Sequence, residues 1–435
     1  MKKIIALGAF LAVLGFSSLL FAQEGADDLF SASFDVILEG EEGPDLLEDL
    51  FEPGLKFSLS SKLKAGTLYG WSDFSQPGVH REGLSVSSVL GFGYTANADL
   101  GFFGSVEMTW PSTYGADALH VYPVLKDLYF DIDFLADRLL ARAGKFSASW
   151  GSARIFKIVN LADQTDDGVS LRLTAPGRHV SFAGIATLPL DGEPVSGDAD
   201  EAAEEQVSIG DISALESTAF DKAVLAGRVD LNFPFSRGGL TGHGAVRRDA
   251  AGGDTTVSAG SKLTLGGWDF FTDFKALFHG GLYNRYFNVT GFFYEIPAWK
   301  LQFYGEGQYE SSYHLQEGTS IDELIADGFA ADEAGVLLLL DQRRDISTSL
   351  VGRFTKLGKR NIETGLQWSH CWTDGTGELL PGFALDVPPG MRFKLGLPLV
   401  YGPDDAGSDG AYFVPGESYR LSAGILLEVS LNYKE

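Results

Sequence analysis

The chain has 435 residues, among them 54 glycines, 32 phenylalanines, 15 tyrosines, 7 tryptophans and a single cysteine, and its net charge is −26. So acidic a chain excludes nucleic acid as a partner, because binding phosphates needs a basic surface. Cys371 has no second cysteine to pair with, which excludes the disulfide framework common in large, loop-rich exported folds.

At the N-terminus, Lys2 and Lys3 precede an apolar run from Ile4 to Leu20, and Phe21-Ala22 precedes the polar Gln23. This is the pattern of a secretory signal peptide, residues 1–22, with cleavage after Ala22. No cysteine follows the run, so a lipid-modified N-terminus is excluded. Loss of Lys2 and Lys3 takes the net charge from −26 to −28. Beyond Ala22 no apolar run of about 18 residues recurs, so the exported chain has no spanning helix in its sequence. Residues 23–54 are acidic and irregular and read as an N-terminal arm or plug.

From residue 55 to residue 435 the chain alternates. Leu55, Phe57, Leu59, Leu63 and Ala65 form one face, and Lys56, Ser58, Ser60, Lys62 and Lys64 the other. A period of two is a strand with one apolar and one polar face. The pattern recurs at 84–94, 100–110, 128–134, 139–149, 168–174, 178–188, 223–233 and 239–247. It continues at 257–265, 268–278, 283–296, 299–309, 344–356, 360–372, 382–388 and 390–400. The last stretch runs from Tyr419 to Tyr433 with Leu421, Ala423, Ile425, Leu427, Val429 and Leu431 on one face. Ten steps at ~3.3 Å, tilted by about 40°, rise ~25 Å, the height of the apolar band on a membrane barrel. Trp110, Tyr419 and Tyr433 fall where aromatic girdles sit. The expected fold is all-β: a closed transmembrane antiparallel β-barrel of about 18 strands (16–18), placed in an outer membrane, with the lipid bilayer as its surroundings.

Links after every second strand are short, around 96–98, 135–138, 175–177, 234–238, 266–267, 297, 357–359 and 388–390. Several intervening links are long, at 70–82, 111–122, 150–166, 189–221, 312–342 and 402–418. That asymmetry predicts periplasmic turns and extracellular loops. Residues 189–221, 312–342 and 402–418 hold twenty-one acidic and no basic side chains, so most of the charge sits in three loops. The 312–342 loop is a candidate to fold inward and narrow the lumen. Acidic mouths are expected to enrich cations, although salt screens surface charge within ~8 Å.

Motifs for catalysis and metals are weak. The seven histidines show no metal-ligand spacing and no Gly-x-Ser-x-Gly occurs, so no cofactor, metal or enzyme activity is expected. His179 and Ser181 share a strand face, a spacing similar to outer-membrane phospholipases, but the flanking residues do not match, and two polar residues on a wet face explain the pair. Asp405 to Gly410 imitates part of a calcium loop but lacks the third oxygen ligand and the closing glutamate.

One segment is more specific. Gly144-Lys145-Phe146, then Trp150-Gly151 and Arg154, then Asn160-Leu161-Ala162-Asp163, resembles large bacterial porin-type barrels, in which a strand ends in Gly-Lys/Arg and leads through Trp-Gly into a loop. The Asn-Pro usual near that turn is missing. The resemblance implies an outer-membrane channel passing small solutes or ions by diffusion, with a homo-oligomer as a common assembly. The residues themselves suggest Trp150 at the rim and Lys145 and Arg154 near the lumen mouth. Asp131 and Asp133, set against Lys62, Lys64, Arg392 and Lys394, would create a field across the lumen. A hydrophobic-substrate transporter with residues 23–54 as its hatch, and a surface adhesin, are the alternatives. N-terminal sequencing of protein recovered from envelopes is expected to begin at Gln23; a sequence beginning at Met1 would make the leader a retained anchor.

Overall fold

The computed structural model describes residues 54–71, 79–97, 100–110, 122–134, 138–146, 150, 155–156, 168–189, 223–249, 254–279, 283–314, 344–357, 362–387, 390–403 and 421–434. The signal peptide, the 23–54 arm except Gly54, which opens the first strand, Arg154, Tyr419, the 312–342 loop beyond His314 and the Asp405–Gly410 segment lie outside them.

The described residues are strands and turns. In chain order the strands are β1 (Gly54–Trp71), β2 (Val79–Asn97), β3 (Leu100–Trp110), β4 (Tyr122–Phe134), β5 (Leu139–Lys145), β6 (Gly168–Ala175) and β7 (Val180–Pro189). Next come β8 (Val224–Phe235), β9 (Gly238–Asp249), β10 (Thr255–Leu265), β11 (Trp268–His279), β12 (Tyr283–Ile296) and β13 (Leu301–His314). The last are β14 (Arg344–Phe354), β15 (Ile362–Cys371), β16 (Gly377–Val387), β17 (Met391–Gly396), β18 (Leu399–Tyr401) and β19 (Leu421–Lys434). Apart from β17 and β18, which both pair with β16 and β19, each pairs antiparallel with its chain neighbours, and β19 pairs with β1 as well, so the sheet has no free edge. Pro398 offers no N–H, and β17 and β18 are two pieces of one strand, both lying between β16 and β19. The barrel is therefore closed with 18 strands. β4 starts at Tyr122 and β16 at Gly377, earlier than the alternation predicts, and β5 stops at Lys145 rather than at residue 149.

Closure fixes the faces. Leu55, Phe57, Phe182, Leu225, Phe270 and Ile425 are among many large apolar side chains exposed on the outside. In a soluble sheet such a belt would be an aggregation surface; around a closed barrel it is the lipid face. At the short-turn end Trp268 stacks on Tyr294 at 4.1 Å and beside Phe270 at 5.7 Å. At the other end Trp368, His370, Trp372 and Tyr401 form a second aromatic group, in which Trp368 Nε1 donates to Tyr401 at 2.9 Å. Trp110 and Tyr433 sit at the ends of β3 and β19, Tyr433 opposite Leu59. The polar side chains on the outside bond to one another: Thr272 meets Thr290 at 3.0 Å, Thr290 donates to Asn288 Oδ1, and Asn288 donates to the Asp273 carbonyl at 3.2 Å. Within this cluster the polar atoms find partners in one another and need no water, which the apolar belt cannot supply.

The links at the loop-rich end are not all long: β15 and β16 are joined by the tight turn at residues 372–376. The seam where the chain's ends meet is ionic on its inner side. Lys394 Nζ lies 3.1 Å from Glu428 Oε1, Lys64 lies 3.9 Å from the same carboxylate, and the sides of Lys394 and Glu428 are 0% and 1% exposed. Removing one member of a buried pair strands the other charge, whereas replacing both removes the problem. Lys394→Met is accordingly expected to lower stability by about 3 kcal/mol, and the double change with Glu428→Met to restore most of it. Urea unfolding in lipid vesicles, followed by loss of heat-modifiable gel migration, measures both.

Candidate functional site

The inner wall carries mostly the polar half of the alternation, and on the β3–β9 side an inward segment lies against an apolar part of it. The last residue but one of β5 is Gly144, whose φ of +133° is available to glycine alone at low cost. A Cβ there would fall 2.1 Å from the Leu128 carbonyl oxygen. The chain then leaves the wall. Phe146 and Trp150 pack with Phe103, Tyr129, Ile185 and Ala245 into one buried cluster, with Trp150 only 4% exposed. Trp150 thus does not stand at a lipid rim: it is buried against the inner wall, because the wall opposite it offers the small Ala183 and Ala226 as a seat.

Farther along, Ile155 and Phe156 reach the opposite flank. Glu306 of β13, itself 3% exposed, accepts the Ile155 N–H at 3.0 Å and the Phe156 N–H at 2.9 Å through one carboxylate oxygen. The Phe156 side chain packs on Phe271 and Val289. One loop is thus anchored by aromatics on β3–β9 and by a charged acceptor on β13. The segment expected to fold inward, 312–342, lies largely outside the described residues. The inward loop that is seen is the one after β5. The sequence signal for it was present in Phe146, Trp150 and Phe156, three aromatics in a stretch that the alternation read as strand end and loop.

Next to this loop, on its short-turn side, lie three arginines that no sequence motif marked. Arg142 (β5) and Arg172 (β6) are direct partners across the ladder, and Arg228 (β8) is paired with Ala183 of β7. Arg142 makes a forked bond to Asp131, Nε to Oδ1 at 2.7 Å and Nη2 to Oδ2 at 2.9 Å. Its guanidinium also lies 4.1 Å from the Tyr129 ring centre. Arg228 donates to Asp230 at 2.7 Å and lies 5.9 Å from the Trp150 ring. Arg172 donates only to its neighbour Thr174, at 3.3 Å, and makes no ion pair among the described residues. Beyond Arg228, His243 Nε2 is 3.7 Å from Asp273 Oδ1. The two come from β9 and β11 and meet over Gly260 of β10, where a Cβ would lie 2.0 Å from the Asp273 oxygen.

The other residues singled out in the sequence are placed as follows. Lys145 pairs with Leu128, whose side chain belongs to the outer face. Asp131 is held by Arg142, and Asp133 faces Leu140. Lys62 and Lys64 stand on β1 opposite Ser430 and Glu428. Arg392 bonds Glu363 at 2.8 Å and Asp386 at 3.2 Å, and Lys394 bonds Glu428. The acids and bases thus neutralise each other in local pairs more than they form two opposed walls. His179 Nδ1 donates to the Asn232 carbonyl, 3.1 Å away, and Ser181 Oγ accepts the Gly177 N–H at 3.3 Å; they do not bond each other. Among the described residues no group of three metal-ligating side chains converges.

Replacing Glu306 with Ala would leave both amides without their acceptor. The expected result is amide hydrogen exchange at Ile155 and Phe156 at least about tenfold faster, the signature of local opening, with strand amides unchanged. Unchanged exchange at these two positions would mean that the aromatic contacts alone hold the loop.

No protein-family model and no curated protein matches the sequence. Among solved structures the chain is similar to OccK11 (OpdR) of Pseudomonas aeruginosa at 12% identity, with a TM-score of 0.50 over 88% of this chain and 98% of that one. It is also similar to the anion-selective porin from Comamonas acidovorans at 10% identity and a TM-score of 0.46, over 87% of this chain and 100% of that one. For OprB of Pseudomonas putida the identity is 10% and the TM-score 0.47, over 87% and 94%. At these identities the likeness is one of fold: a large antiparallel barrel of outer-membrane porin architecture.

Proposed function

We propose that the chain is a porin-like channel of an outer membrane, through which small solutes diffuse passively. The observation that carries this reading is the inward loop. A barrel that served only as an anchor would have no need to bring Phe146, Trp150 and Phe156 inside and pin the backbone to Glu306. A loop held along the inner wall narrows a lumen, and its position sets what passes. The charged inner wall, with Arg142, Arg172 and Arg228 beside the loop, suits a wet lumen and not a lipid-filled one. The outer belt of apolar side chains between aromatic groups supports a bilayer as the surroundings. The signal peptide, the three acidic loops and the cation preference expected from them rest on segments outside the described residues.

The test is single-channel recording of the refolded mature protein in a planar bilayer. Discrete steps are expected, and Trp150→Ala, which loosens the loop's first anchor, is expected to raise the unit conductance by at least about 1.5-fold or to make it flicker. An inserted, heat-modifiable barrel that passes no current would rule out the channel reading.

A further inference from the structure

The seam carries a second feature besides its ion pair. The ladder sets Gly365 (β15), Gly382 (β16), Gly396 (β17), Leu426 (β19), Gly66 (β1) and Gly83 (β2) side by side at one level. All six belong to the inner face, since Gly396, Leu426 and Gly66 each stand two residues from the inward Lys394, Glu428 and Lys64. Five glycines in a row of six leave a groove in the wall, about 24 Å long at ~4.8 Å per strand. Its borders are apolar where alternation would put polar residues: Leu380 and Ala384 on β16 and Leu68 on β1. Leu380 and Ala384 are only 1% exposed. Lys394 and Glu428 beside them are equally shut off, whereas the inward Asp230 and Lys262 across the ring keep 37% and 35% of their side chains exposed. Gln367, two residues from Gly365 on the same face, has its Oε1 buried without a hydrogen-bond partner among the described residues. The inward loop after β5 is seated elsewhere, on β3–β9 and on β13.

A row of glycines in a sheet marks a place where another stretch of backbone or a large side chain comes close. We propose that the groove is the seat of this chain's own N-terminal segment, residues 23–53, which runs from the mouth of the barrel up the inner side of β1 and plugs part of the lumen. The start of β1 suits such a course. Pro53 has no N–H with which to extend the ladder, and Gly54 has a φ of +147°, the glycine region that at Gly144 also lets the chain leave the wall. Reach is sufficient. From Gly54 to Gly66 the strand climbs about 30 Å, at ~3.3 Å per residue and a tilt of about 40°. The 31 residues of the segment extend to about 100 Å, enough to reach the groove and cross it. Charge matches as well. The segment holds eleven acidic and no basic side chains, while β1 turns Lys56, Lys62 and Lys64 inward and carries no acid. Lys64 and Lys394 both approach Glu428, so two bases meet one acid at the seam. Phe34, Val36 and Leu38 alternate within the segment and give it an apolar edge for the glycines. The proposal rests on the channel reading only for its consequence, a lowered conductance.

The experiment uses the full mature chain refolded in lipid vesicles, with the photo-crosslinker p-benzoylphenylalanine in place of Leu68 and, as a control, in place of Thr241 on the far wall. Irradiation and peptide mapping are expected to join position 68 to residues 23–53, and the control to leave that segment unjoined. Capture of residues 315–343 or 404–420 at position 68, or of neither an arm nor a loop residue, overturns the proposal. Gly396→Phe, which puts a large side chain into the groove, is expected to make residues 23–53 at least about tenfold more sensitive to thermolysin. Unchanged cleavage in a variant that keeps its heat-modifiable migration also overturns it. Removal of residues 23–53 is expected to raise the unit conductance at least about twofold, and equal conductance would mean that the segment does not plug the lumen. If neither the wild type nor the shortened chain passes current, the channel reading has failed, and the cross-link from position 68 alone decides the seat.

Discussion

Everything in this molecule depends on the backbone pairing of β1 with β19. In a hydrocarbon layer an unpaired N–H or carbonyl costs several kcal/mol, so a sheet can be exposed to lipid only if it has no edge. The register from Ser58 opposite Lys434 to Trp71 opposite Leu421 removes that edge. Once the ring is closed, the period of two along each strand has only one consistent reading: every second side chain faces lipid and the rest face inward. The ion pair of Lys394 and Glu428, with Lys64 near it, sits on the inner side of this same seam and ties its three strands in one register. A slip by one residue would turn these charges into the apolar layer, which makes the pair a device against misregister as much as a source of stability.

A closed ring of this size has an interior that side chains alone do not fill. The chain uses one of its loops there. Leaving the wall at Gly144, it sets Phe146 and Trp150 on a patch of Phe103, Tyr129, Ile185 and Ala245, an apolar island on a face that is mostly polar. The island contradicts simple alternation, in which inward positions are polar. Local violations of pattern are expected where a structure does something besides fold. The far anchor is of the opposite kind: two backbone amides on one buried carboxylate, a directional contact that fixes position where the aromatic island supplies area.

The charges inside follow the same division of labour. Asp131 with Arg142, Asp230 with Arg228, and Glu363 and Asp386 with Arg392 are pairs in which each base is held by acids one or two strands away or on its own strand. They give the wall polarity without large net charge. Arg172 breaks this rule beside the loop, with one like charge opposite it and another two strands away. A stable wall would have put an acid or a neutral residue there, and the cost of the arginine is what singles it out.

The fold was legible because its signal is repeated. The alternations at Leu55–Ala65 and Leu421–Leu431, repeated along the chain and joined by short links near 266–267 and 388–390, together point to a closed barrel. The same period led to the expectation that Lys62, Lys64, Asp131, Arg392 and Lys394 face inward. What the sequence could not specify was how those residues meet. Pairing partners such as Arg142 and Arg172, or His243 and Asp273, come from different strands, and only the register across the sheet brings them to one level. The inward course of the loop after β5 was likewise decided by tertiary structure: Trp150 reads the same in sequence whether it faces lipid or lumen, and it turns inward because Ala183, Ala226 and Ala245, far along the chain, leave the space. Periodicity is a local property and sets the face; contact between distant strands is not local, and only the closed sheet fixes it.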